Sequence, residues 1–159
     1  MREIEFRGKR IDDGEWVYGY FIRALDIENT PIKNCIIENM TSVPIGGGCV
    51  KQDYYEIDLE TLGQYTGLKD KNGTKIFEGD IVKILYTDWA SKSDNDTRTL
   101  EEYLDSLTKV GVVRWDNLSS CYCLEFNNGC YNSIQCGSDG YIRVIGNIYD
   151  NPELLKKEK

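Results

Sequence analysis

Residues 60 to 83, ETLGQYTGLKDKNGTKIFEGDIVK, constrain the fold of this chain more than any other stretch. Thr61 to Leu68 runs extended, Lys71-Asn72-Gly73 turns, and Ile76 and Phe77 lead the chain back. Asn-Gly between apolar runs is the strongest short hairpin signal, because both central residues of the tight turn need positive φ. Glu78-Gly79-Asp80 then breaks the strand, and Ile81 to Tyr86 opens a new one. Strand, tight turn, strand within so few residues predicts antiparallel sheet.

The same grammar extends in both directions. Ile4 and Phe6, the turn Asp12-Asp13-Gly14, then Trp16, Tyr18, Tyr20 and Ile22 alternate with period 2, so a hairpin is expected from about residue 3 to residue 23. Gly8 and Gly19 mark a bulge or a close backbone approach. Pro31, Pro44 and Gly46-Gly47-Gly48 punctuate a less regular region with a short strand at Asn34 to Met40. The Gly triplet lacks the Lys-Ser/Thr pair of a phosphate loop and reads as a connection. Further strands are expected at Val110 to Trp115, Tyr122 to Phe126 and Tyr141 to Tyr149, with turns at Asp116-Asn117 and Asn127-Asn128-Gly129. Asn151 and Pro152 start a final helical turn through Lys157. The expected fold is mainly β, antiparallel sheets with an SH3-like small barrel and one or two short helices, in a single domain of 159 residues.

Residues 88 to 109 break this pattern. Ser91 to Asp96 is polar, and residues 88 to 98 are expected to be the most protease-sensitive interior segment. Leu100, Tyr103, Leu104 and Leu107 then fall on one helical stripe, with Thr99 and Glu102 as a capping box. This stretch reads as a polar and helical insertion.

The net charge of -8 disfavours phosphate, and histidine is absent, which removes the usual general base, the commonest zinc ligand and the pH switch near neutrality. No run of about 18 uncharged apolar residues suggests a membrane span, and Met1-Arg2-Glu3-Ile4-Glu5 is charged where a signal peptide turns apolar. A cytoplasmic location is therefore expected, with the six cysteines as free thiols. Cys121, Cys123, Cys130 and Cys136 cluster, but residues two apart on a strand lie about 6.8 Å apart along it, too far for two zinc thiolates. No metal and no cofactor are expected. The acidic pairs Asp13 with Glu15 and Glu78 with Asp80 flank turns, where carboxylates usually bind their own backbone, and no catalytic residue is assigned.

Eleven tyrosines and three tryptophans supply surface that packs on one side and accepts water on the other. Trp16, Tyr18 and Tyr20 beside Arg7, Lys9 and Arg10 are the best candidates for a recognition face, against a reading in which the aromatics pair across strands and the basic residues form a solvated strand face. The leading function is a non-enzymatic module that binds another protein or itself. Nucleic-acid binding by a small β-barrel and hydrolysis without histidine are the alternatives.

EFRGKRIDDGEWVYGY (residues 5 to 20), the block 60 to 83, GVVRWDN (residues 111 to 117) and VIGNIYDNPELL (residues 144 to 155) occur in an order that resembles the YopX family of phage and prophage proteins. The resemblance covers nearly the whole chain. It implies a mainly β protein from a phage or prophage, acting inside the infected bacterium, and it brings no catalytic residues. The stretch 88 to 109 is longer than the link the resemblance implies.

Overall fold

The structure is a computed structural model and describes residues 3–24, 33–38, 53–85, 97, 99, 102–103, 107–126, 129–134 and 142–156. They form mainly antiparallel β-structure, and the helical segments among them are short. No helix among them is long and apolar enough to cross a membrane. The chain divides into two compact units, Met1–Gly67 and Leu68–Lys159.

The first unit holds β1 (Phe6–Arg10), β2 (Trp16–Ala24), β3 (Lys33–Ile37) and most of β4 (Tyr54–Lys69). The strands pair in that order, and β4 pairs back onto β1, so the sheet partly closes into a small ring. The predicted hairpin is present: Phe6 faces Gly19 and Lys9 faces Trp16, with Gly14 at φ 74° in the turn. Closure needs an irregularity. Between Arg7 and Lys9 the β1–β4 register shifts, and Thr61 bridges the gap: its hydroxyl accepts the Lys9 amide at 2.8 Å and donates to the Asp58 carbonyl at 2.7 Å. The inward faces of all four strands meet in a core of Val17, Ile36 and Ile57, flanked by Phe6, Phe21, Tyr55 and Leu62. At Gly19 the chain passes so close to β3 that a Cβ would lie 2.0 Å from the Ile37 carbonyl oxygen. The close backbone approach expected there is realised.

In the second unit β5 (Lys75–Phe77) pairs with the end of β4, and a sheet follows in the order β10-β6-β7-β8-β9. Its strands are β6 (Asp80–Leu85), β7 (Thr108–Asp116), β8 (Cys121–Phe126), β9 (Gly129–Ser133) and β10 (Ile142–Asn147). Ile76, Val82, Ile84, Val113, Tyr122, Leu124, Ile134 and Ile142 form its core. A 3-10 helix at Pro152–Lys156 follows, as the Asn151-Pro152 signal predicts.

Three elements differ from the sequence reading; β10 ends at Asn147 rather than Tyr149, because Ile148 to Asp150 enter the turn held by the Asn147 side chain. β9 is a strand where no alternation signals one, because Gly129 to Ser133 are small or polar and take their register from β8. β4 starts at Tyr54 rather than Thr61; the bulge at Asp58 to Thr61 interrupts the alternation that would reveal its first half. The capping box is formed: the Thr99 amide donates to Glu102 at 2.8 Å, and the Glu102 amide donates to the Thr99 hydroxyl at 3.2 Å. Leu100 and Leu104 of the helical stripe, the loop Ser91 to Asp96 and the Gly46-Gly47-Gly48 connection lie outside the described residues.

Candidate recognition surface on the first sheet

Side chains two apart on a strand share a face, and residues in direct register across strands share it too. Arg7 and Lys9 on β1 therefore stand on the face of Trp16 and Tyr18 on β2. Tyr20 continues that face through Ile37 on β3 to Tyr54 on β4, one row across three strands. Tyr18, Tyr20 and Tyr54 keep 41%, 48% and 65% of their surface exposed, whereas Ile37 in the row is only 4% exposed. Five of the six residues singled out in the sequence thus meet on one face. Tyr54 was not among them, since nothing local links it to Tyr20.

Arg10 stands apart. It faces Ile57 across the β1–β4 pairing, its guanidinium lies 4.4 Å from the centre of the Tyr55 ring, and it binds Asp12 at 2.6 Å and Asp13 at 2.9 Å. The hydrogen bond to Asp12 pushes the Arg10 pKa above its usual value and the same bond lowers that of Asp12. Arg10 is a staple on the turn.

Arg7 corrects the reading of a solvated basic strand. It is 6% exposed, its guanidinium 4.8 Å from the centre of the Trp16 ring, with Lys9 at 5.6 Å from the same ring. A long side chain whose stem and planar head cover an aromatic ring is packing material as much as charge. Arg7→Ala is accordingly expected to lower stability by about 1–3 kcal/mol in urea unfolding, and Lys9→Ala by less than about 1 kcal/mol.

Carboxylates answer the remaining cations of this face. Asp58 stands opposite Lys9, and Glu56 pairs with Lys33 at 3.1 Å. The surface is aromatic with compensated charge.

Burial pushes the Cys35 thiol pKa up and Glu56 adds to the effect, while Lys33 opposes it, so this cysteine is a poor nucleophile. Cys121 is a free thiol, as expected, but Cys123 is disulfide-bonded, which corrects the free-thiol expectation at that position. The expectation rested on compartment alone and carried no information on strand geometry. The side chains of Cys130 and Cys136 lie outside the described residues. No group of three or more metal-ligating side chains occurs among the described residues. In the second unit a cavity of about 270 Å³ is lined by Val110, Val112, Phe126, Leu154 and Leu155, and its charged residues Arg114 and Glu125 bind each other at 3.0 Å.

The YopX protein family matches residues 5–156, which crosses both units. The chain belongs to the YopX family. It is similar over 98% of its length to the crystal structure of protein EF1440 from Enterococcus faecalis, 99% of which is covered, at 24% identity and a TM-score of 0.52, a likeness of fold. No curated protein matches the sequence.

The segments that resemble YopX proteins are here fold machinery. The buried Asp70 carboxylate accepts the amides of Asn72 (2.8 Å), Thr74 (2.9 Å) and, from β10, Val144 (3.2 Å), while the Lys71 amide donates to the Ile142 carbonyl. This one carboxylate shapes the Asn-Gly turn and ties it to a strand 74 residues away. Asp80, 1% exposed, accepts the Phe77 amide at 2.8 Å; Glu78 accepts the Trp115 amide at 3.4 Å; Asp13 accepts the Glu15 amide at 3.0 Å. Asn147 accepts the amides of Tyr149 and Asp150 and holds the C-terminal signature in a tight turn. Of the acidic pairs beside turns, Asp13, Glu78 and Asp80 bind backbone and Glu15 is exposed, in keeping with the sequence reading of turn-bound or solvated carboxylates.

Proposed function

We propose that this YopX chain is a non-enzymatic protein-interaction module of a phage or prophage, acting inside the infected bacterium, whose recognition face is the aromatic face of the first sheet that carries Tyr18, Tyr20 and Tyr54. The observation that carries the reading is the exposed row and column of Tyr18, Tyr20 and Tyr54 on one strand-built face. Interfaces are enriched in aromatic residues and depleted in charge at their centres. Compensated cations favour a protein partner over nucleic acid, which needs an excess of positive charge along a groove. Turn-bound carboxylates and a cavity whose ion pair is self-satisfied favour binding over hydrolysis. The family match over residues 5–156 supports treating the chain as one YopX-like domain, within which we place 88–109 as an insertion by its composition.

The test is a double variant. Tyr20→Ala with Tyr54→Ala is expected to weaken association with a co-purifying partner, or with a second copy of the chain, at least ~10-fold in pull-down and light scattering. Anisotropy with single-stranded DNA should show no binding that rises steeply as salt is lowered. Steep, salt-dependent DNA binding lost in the same variant would replace this reading with the nucleic-acid one.

A further inference from the structure

We propose that the cavity of the second unit binds a free α-amino acid with an aliphatic side chain, a site that needs nothing from the aromatic face of the first sheet. Strand alternation builds one wall. Val110, Val112 and Arg114 are two apart on β7 and share a face, and Glu125 on β8 stands in direct register with Val112. Leu154 and Leu155 of the C-terminal 3-10 helix line the same cavity. The lining is thus apolar apart from one cation and one anion, Arg114 and Glu125.

Those two charges decide what fits. Arg114 donates from Nε to Oε2 of Glu125 at 3.0 Å, and among the described residues neither side chain has a further partner. The bridge therefore leaves both Nη groups as donors and Oε1 as an acceptor, on side chains that keep 44% and 49% of their surface open. As a unit the pair is neutral. A ligand of one charge is drawn to one member and repelled by the other. A zwitterion that carries carboxylate and ammonium on the same carbon satisfies both, its carboxylate on the Nη groups and its ammonium on Oε1. The valines and leucines beside the pair then take an aliphatic side chain out of water. Size sets the rest. The cavity measures about 270 Å³, below the roughly 300–1,000 Å³ of sites for drug-sized ligands, which suits a single amino acid rather than a nucleotide or a peptide.

The test is isothermal titration calorimetry of the full chain with L-leucine, beside three analogues that each lack one recognised feature: glycine the side chain, N-acetyl-leucine the ammonium and leucine amide the carboxylate. Saturable leucine binding is expected, at least ~10-fold tighter than that of any analogue, because a site built to hydrogen-bond a ligand group rejects the molecule without it. Arg114→Gln and Glu125→Gln should each weaken leucine binding at least ~10-fold. Their thermal midpoints should stay within about 2 °C of the native chain, since both side chains are half exposed. Any analogue binding as tightly as leucine, leucine binding untouched by both glutamine variants, or no saturable binding up to about 10 mM overturns the inference.

Discussion

Gly19→Ala is expected to destabilise the first unit by about 3 kcal/mol or more, enough to empty the native state of a domain of ordinary marginal stability under mild denaturant. The added methyl would meet backbone: the Ile37 carbonyl oxygen at 2.0 Å, its carbon at 2.8 Å and the Glu38 Cα at 3.0 Å. A flexible side chain swings away from such a contact, whereas here β2 and β3 would have to separate, with Phe21 and Ile36 of the core beside the point of strain. Gly14→Ala is the control. Gly14 also has positive φ but open space around it, so only conformational strain, about 1 kcal/mol, is expected there. Urea unfolding followed by tryptophan fluorescence reads both; a smaller loss at Gly19 than at Gly14 would show that β3 moves aside freely.

The second large effect is expected at Asp70. Asp70→Ala leaves the amides of Asn72, Thr74 and Val144 without their acceptor; Asn72 and Thr74 are exposed and their amides can turn to water, so the loss is about 1–3 kcal/mol. Asp70→Asn, which keeps one acceptor oxygen, should lose less. The site also fixes a pH dependence. Burial raises the Asp70 pKa, but the backbone donors and the Thr74 hydroxyl outweigh it, and the net shift is downward. The unfolded chain then binds a proton at Asp70 more readily than the folded one. The contribution is complete above the unfolded pKa of about 3.9 and is lost as pH falls below it through the lower folded value. Chemical unfolding at a series of pH values should show a decline below about pH 4 that is shallower in Asp70→Asn; identical slopes would remove Asp70 from the acid response.

These two sites show what was legible in the sequence and what was not. The turn around Asn72-Gly73, the hairpin around Gly14 and the Thr99–Glu102 box were legible because their signals are local, although of the Asn-Gly pair only Gly73 takes positive φ. That Asp70 reaches Val144 was not, since the bond spans 74 positions and depends on where β10 lies. Strand register is likewise non-local. Trp16, Tyr18 and Tyr20 were found by alternation along one strand, but Tyr54 joins them only through Ile37, and its own strand is masked by the bulge at Asp58 to Thr61. Charge was the least faithful guide. Arg7 read as solvated and is buried against Trp16, while Arg10, three residues on, falls on the other side of the strand by alternation and binds Asp12 and Asp13.

The proposed function divides labour between the motif carboxylates, which hold the fold, and the exposed tyrosines of the first sheet, which make the contact. It is tested most directly by measuring partner co-precipitation on preparations of the native chain and of Tyr20→Ala with Tyr54→Ala whose thermal midpoints are recorded on the same samples. The predicted result is a midpoint within about 2 °C of the native protein and retained partner reduced at least ~10-fold, since both side chains are largely exposed. Full retention of the partner by the double variant at an unchanged midpoint would contradict the claim.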